Sequence, residues 1–285
     1  MNKVKHLTTK VNGIEIFYRE AGQKGKPVLV LLHGYPTSSH MYRNLLRDLA
    51  DKYHLIAPDY PGFGRSEQPS MSDFKYTFEN FASIIEALLQ QLNIQKFSLY
   101  LMDYGAPVGF RIASKNPGKI ENLIIQNGCA YDEGLEAFWD PIKVYWNEKT
   151  LENGKPLEGF HSPEGLQWQY THGLTQPELV SPDNWEMDLR HILRGENNEI
   201  QLALFYDYQT NVKLYPQWQE YFRTHQPRTL IVYGKNDYIF PVAGAEAYKK
   251  DLKNLDFNLY DAGHFALESH GSEITDKIST FLATN

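Results

Sequence analysis

Two carboxylates and one imidazole stand just past the ends of short apolar runs. Asp103 follows Phe97 to Met102, Asp237 comes soon after the run ending at Tyr233, and His264 soon after the run ending at Tyr260. A carboxylate can attack an electrophilic carbon, a histidine can move protons near neutral pH, and a second carboxylate can orient that histidine. There is no GxSxG segment, which counts against a serine esterase. There is no HExxH segment and no pair of cysteines, so nothing points to a metal site. The single cysteine, Cys129, cannot form an internal disulfide and is expected to be a small buried hydrophobe.

Such groups act only if a frame holds them together, and the sequence indicates one. Ile14 to Tyr18 reads as a strand entered through an Asn12-Gly13 turn. Further strands are expected at 27–32, 53–57, 97–102, 123–125, 228–233 and 257–260. Between them, apolar residues recur at helical spacing over about 39–50, 78–92, 108–114, 245–252 and 274–282. Strands alternating with helices predict an α/β fold with a mostly parallel sheet. Ligands of such sheets bind beyond the carboxyl ends of the strands. Asp103, Asp237 and His264 all fall there.

From about Cys129 to Phe222 the alternation is lost. All five tryptophans (Trp139, Trp146, Trp168, Trp185 and Trp218) lie in this stretch, with seven tyrosines. Helices are expected near 135–146 and 199–208. The resulting organisation is an α/β core made of residues 1–128 and 223–285, interrupted by an aromatic-rich insertion at 129–222.

Composition narrows the partners. The 285 residues carry 28 Lys+Arg against 35 Asp+Glu, a formal net charge of −7. That balance argues against nucleic acid as a ligand. No run approaches the ~18 apolar residues of a membrane span. The first residues carry charge without a following apolar stretch, unlike a secretory signal. A cytoplasmic protein acting on a small molecule is expected; the oligomeric state is left open.

Four stretches carry a family resemblance: HGYPTSS at 33–39, APDYPGFGRSEQP at 57–69, LMDYGAPVGF at 101–110, and GKND at 234–237 with AGHF at 262–265. In this order they resemble the α/β-hydrolase superfamily, and within it the group of epoxide hydrolases and haloalkane dehalogenases, whose nucleophile is an aspartate. The resemblance spans nearly the whole chain. It implies that Asp103 is the nucleophile, His264 the base and Asp237 its orienting acid. Backbone N–H groups of Tyr35 and Tyr104 would form the oxyanion hole, with His33 bracing the turn. Residues 129–222 would be a helical cap.

The resemblance also frames the substrate. A halide leaving group wants indole or amide N–H donors, whereas an epoxide oxygen wants a phenol. Tyr104 and Tyr35 stand where dehalogenases carry tryptophan and often asparagine. Epoxide hydrolases use two cap tyrosines, and Phe205-Tyr206-Asp207-Tyr208 resembles the step that carries one of them. Tyr206 and then Tyr208 are the candidates there, with Tyr145 for the other. Tyr104 departs from both families, and Leu101 and the PTSS wording are closer to the dehalogenases.

The leading expectation is a hydrolase without metal or cofactor. It would use water and an aspartyl-ester intermediate on a small apolar epoxide. A haloalkane dehalogenase-like enzyme is the alternative, followed by a ligand-binding relative that does not turn over and by a hydrolase of activated esters or fluorinated acids.

Overall fold

The apolar runs pair into one eight-stranded sheet in a computed structural model that describes residues 3–284. The strands are β1 (Lys5–Val11), β2 (Ile14–Ala21), β3 (Val28–Leu32), β4 (His54–Pro58), β5 (Phe97–Met102), β6 (Ile120–Gln126), β7 (Arg228–Gly234) and β8 (Leu255–Tyr260). Their order across the sheet is β1-β2-β4-β3-β5-β6-β7-β8. β2 runs antiparallel to both neighbours and every other pairing is parallel. The Asn12-Gly13 turn closes the β1–β2 hairpin with both residues at positive φ, as a two-residue hairpin loop with the sheet's twist requires.

Strand polarity explains the core. In β3, Val30 and Leu32 enter the apolar layer on one face, and Leu29 and Leu31 enter the layer on the other. All six residues of β5 are buried, as expected of a central parallel strand covered on both sides. Helices α1 (Arg43–Asp48), α2 (Phe78–Gln91) and α3 (Gly105–Lys115) connect the first half of the sheet. α2 begins where the Thr77 hydroxyl accepts the Asn80 N–H at 3.2 Å. Expected and observed elements differ mostly at their ends. The stretch at 39–50 starts as a 3₁₀ turn before α1, and α3 begins at Gly105 rather than near 108.

Between β6 and β7 the described chain is helical, with no strand. It forms α4 (Asp140–Asn147), α5 (Leu151–Gly154), α6 (Pro163–Thr171), α7 (Asp183–Ile192), α8 (Asn197–Asp207) and α9 (Gln209–His225), joined by 3₁₀ turns. α9 closes three residues beyond Phe222, with Gln226 in the left-handed region at φ 44°. The last two helices are α10 (Val242–Ala247) and α11 (Ala266–Ala283), the latter starting earlier than its apolar spacing indicated. No described helix is long and apolar enough to cross a membrane.

Candidate active site

Asp103 sits between β5 and α3 at φ 51°, a left-handed conformation that a non-glycine residue adopts only when its surroundings hold it there. Its N–H donates to the Asn127 carbonyl at 3.2 Å, and its own carbonyl accepts from the Ala106 N–H at 2.9 Å. The turn is tight enough that a Cβ on Gly105 would lie 2.1 Å from the Leu32 carbonyl oxygen. A Cβ on Gly34 would lie 2.3 Å from the Asp103 carboxylate oxygen, so the HGYP loop must carry glycine there.

The two oxygens of Asp103 have different surroundings. Oδ1 accepts the backbone N–H groups of Tyr35 at 2.7 Å and Tyr104 at 2.6 Å. Oδ2 lies 3.7 Å from His264 Nε2, beyond direct hydrogen-bond reach. His264 Nε2 is itself buried without a partner. His264 Nδ1 meets Asp237 Oδ2 at 2.9 Å, which places its proton at Nδ1 and turns the Nε2 lone pair toward Asp103.

Asp237 is held in turn. Its Oδ1 accepts the Ile239 N–H at 2.8 Å and its Oδ2 accepts the Asn127 Nδ2–H at 2.8 Å. The Asn127 side-chain oxygen accepts the Gly234 N–H at 3.1 Å, which ties the end of β6 to the end of β7. The next residue back, Gln126, donates to the His264 carbonyl at 3.3 Å and accepts from the Tyr100 hydroxyl. Asn127 is a site residue that the motifs did not single out. The one sequence signal for it was its place just past a strand end.

Burial shapes the charges. It pushes the Asp103 carboxyl up to about 6, against the pull of His264 and the two N–H donors, with Asp237 adding to the rise. Burial alone would lower the His264 imidazole; the Asp237 charge and hydrogen bond, with Asp103, outweigh it and raise the value above the usual 6.5. His33 is fully enclosed, and burial lowers it. Its Nδ1 donates to the Gly34 carbonyl at 2.9 Å while Nε2 accepts the Tyr60 N–H at 3.4 Å, so the ring braces the turn. Cys129 is buried, its thiol donating to the Tyr131 carbonyl, and burial raises it to about 11. Among the described residues, no three His, Cys, Asp or Glu side chains converge as metal ligands do.

The three tyrosine candidates separate. Tyr145 and Tyr206 pack on each other at 5.7 Å, with the Lys149 ammonium 4.5 Å above the Tyr206 ring. No hydrogen bond or ring contact among the described residues joins either to Asp103 or His264. Tyr208 is fully buried, 6.2 Å from Tyr104 and 4.3 Å from Trp139 by ring centres, one ring away from Asp103. The residue of α8 that reaches the HGYP turn is Phe205, whose ring meets Tyr35 at 5.4 Å.

His161 meets Tyr35 as well, at 5.8 Å. Its Nδ1 contacts Asn198 Oδ1 at 3.0 Å, and its Nε2 is buried without a partner. The Tyr104 hydroxyl is also buried and unpartnered. Buried polar atoms without partners are rare in folded proteins, so their gathering around Tyr35 and Asp103 fits a site whose substrate completes them.

The chain matches the family described as "alpha/beta hydrolase fold" over residues 27–271. It is 45% identical to an uncharacterized hydrolase of Saccharomyces cerevisiae, over 98% of this chain and 97% of that one. It is 27% identical to a cis-3-alkyl-4-alkyloxetan-2-one decarboxylase of Shewanella oneidensis, over 98% and 88% of the two chains. Among solved structures, the epoxide hydrolase CorEH superposes with a TM-score of 0.78 at 20% identity, covering 99% of each chain. The haloalkane dehalogenase DbeA of Bradyrhizobium elkani gives 0.78 at 20%, over 99% and 100%. At that identity the two structures establish the shared fold.

Proposed function

Because this chain belongs to the α/β-hydrolase family, we propose that it is a hydrolase working without a cofactor through a covalent ester on Asp103, with strained cyclic ethers as substrates. The observation that carries this reading is the division of labour between the Asp103 oxygens. Oδ1 is held by two N–H donors, while Oδ2 is unengaged and faces His264.

Oδ2 attacks an epoxide carbon, the carbon–oxygen bond breaks, and the ring oxygen takes up a proton from a phenol. The ester carbonyl is then Cγ–Oδ1 of Asp103, already seated against the Tyr35 and Tyr104 N–H groups. Water enters between Cγ and His264 Nε2, which takes its proton. The tetrahedral oxyanion forms on Oδ1, where both donors stabilise it. Collapse releases the diol, whose Oδ2 takes the proton held by the His264 imidazolium. The Asp103 carboxyl left behind, one oxygen now from water, returns its proton to the phenolate, which restores all three groups. Asp237 stabilises the imidazolium throughout.

Two observations favour an epoxide oxygen over a halide. The Trp139 indole N–H donates to the Ile239 carbonyl at 2.7 Å and that of Trp146 to the Phe205 carbonyl at 2.6 Å, so both are committed to structure. The residue after Asp103 offers a buried, unpartnered phenol, that of Tyr104. The helical segment between β6 and β7, about residues 129–222, serves as an aromatic cap that excludes water and selects small apolar substrates. The oxetan-2-one in the name of the Shewanella relative favours a second reading: a four-membered lactone is another strained ring that a carboxylate can open.

Single turnover in ¹⁸O-water tests the mechanism. The label is expected in the Asp103 carboxylate, and a diol labelled at once with an unlabelled Asp103 would refute the ester. His264→Gln is expected to accumulate an ester visible as added mass on the peptide containing Asp103. A panel of epoxides, haloalkanes and an oxetan-2-one, assayed for diol, halide and carbon dioxide, tests the substrate.

A further inference from the structure

Beside the buried face of α7 (Asn184, Asp188 and Ile192), three arginines line one cleft. The cleft, about 420 Å³, is lined by Gly64, Arg65, Met187, Arg190, His191 and Arg194. Gly64 and Arg65 belong to the loop after β4, whereas Arg190 and His191 lie on α7 and Arg194 just past it. The cleft is therefore shared between the α/β core and the helical segment.

None of these arginines has a carboxylate within ion-pair distance, although the buried Asp59 charge acts on Arg194 from farther away. Among the described residues, ion pairs within 4.0 Å engage Arg43, Arg111 and Arg223, but not Arg65, Arg190 or Arg194. Arg194 Nε is buried without a hydrogen-bond partner, and its terminal nitrogen reaches only the Gly62 carbonyl at 3.4 Å. Asp59, which is buried, spends its oxygens on the backbone N–H groups of Ser39 at 2.7 Å and Arg65 at 2.8 Å. The positive field is felt by the imidazole in the cleft. Burial and then Arg194, Arg65 and Arg190 lower His191, with Asp59 opposing. In a chain with net charge −7, such a concentration of unpaired cations is a local construction.

We propose that this cleft binds a phosphorylated small molecule through its phosphoryl group. Guanidinium forks match pairs of phosphoryl oxygens, and three of them around one opening suit a dianion better than a lone carboxylate. The cleft is within the size range of small-molecule sites, large enough for a group attached to the phosphate. Because Arg65 comes from the core and Arg190 and Arg194 from the helical segment, the bound anion clamps the two together. The same loop carries Tyr60 and Phe63, whose rings pack on His33 at 4.4 and 5.5 Å, so the clamp acts on the support of the HGYP turn.

The test uses the full chain and pyrophosphate as probe, titrated calorimetrically at constant ionic strength, with sodium sulfate as a second oxyanion. One saturable site is expected. At a hundred times its Kd, pyrophosphate should raise the thermal midpoint by about 5 °C. Arg65→Ala and Arg190→Ala, both at exposed positions, should each weaken binding about tenfold, and Arg190→Lys should weaken it less. Arg47→Ala, at an exposed position of α1 that does not line the cleft, should bind as the parent does. Lack of saturable binding, or equal affinity in the Arg65→Ala/Arg190→Ala double variant, overturns the proposal; equal weakening by Arg47→Ala means non-specific attraction and overturns it too. These readouts do not depend on hydrolysis, so they stand apart from the ester mechanism.

Discussion

The strand ends of the core and the helical segment above β6 solve opposite problems. At the strand ends, polar atoms are tied into a chain of short, directional bonds. Asn127 holds Asp237, Asp237 holds His264, and two backbone N–H groups hold Asp103. In the helical segment, rings dominate and polar atoms mostly serve the packing, as the Trp139 and Trp146 indoles do. Its exceptions, such as His161 Nε2, are the atoms left over for something else. The difference teaches that groups needing sub-ångström placement are anchored to backbone that the sheet already fixes. Groups that need only shape and polarity can be carried by packed helices.

The comparison breaks most sharply at Asp103. Asp103→Asn should lower steady-state turnover by about 10⁴-fold or more while leaving the circular-dichroism melting curve intact; near-parent activity would place the chemistry elsewhere. The pH profile comes next. With its carboxyl near 6, Asp103 is ionised above that pH, the form the proposed attack requires, and protonated below it. Esterification, read as single-turnover ester formation, should therefore fall about tenfold per unit below pH 6. In the proposed mechanism ester hydrolysis uses neutral His264, whose value is raised, so it too should be lost on the acid side.

Asn127→Ala should cost about tenfold in kcat, because Asp237 loses a buried donor worth about 1–3 kcal/mol. An unchanged kcat would mean that Asp237 needs no such support. Smaller effects belong to the helical segment. His161→Phe should raise KM about fivefold with kcat nearly constant, as loss of one hydrogen bond to substrate predicts. Trp146→Phe removes the bond to Phe205 and part of a ring packed on Tyr208 and Trp139, and should lower the thermal midpoint by about 2–4 °C with rates unchanged. If Trp146→Phe instead altered halide release, the preference for an oxygen leaving group would fall.

Much of the core was legible beforehand for a physical reason. Val28–Leu32 is apolar throughout and Phe97–Met102 is so apart from Ser98, because neighbours cover both faces, and such runs stand out in any sequence. Asp103 was legible because it interrupts that pattern at a strand end, and Gly34 and Gly105 mark the crowding around it. Asn127 was not, since its partners Asp237 and Gly234 lie more than a hundred residues away. Nor was the unpaired state of Arg65 and Arg190, which depends on where every acidic residue ends up.

The tetrapeptide Phe205-Tyr206-Asp207-Tyr208 shows where sequence stops. Consecutive helical residues point about 100° apart, so four polar-aromatic neighbours face four directions and no periodicity chooses among them. Packing sends Phe205 to Tyr35, Tyr206 to Tyr145 and Lys149, Asp207 to the Phe78 N–H at the start of α2, and Tyr208 to Trp139. The sequence by itself determined the α/β frame and the strand-end positions of Asp103, Asp237 and His264, because burial and backbone periodicity act locally. Only the tertiary structure decided which aromatic and polar groups of the helical segment meet Asp103, because that depends on how whole helices rotate against the sheet.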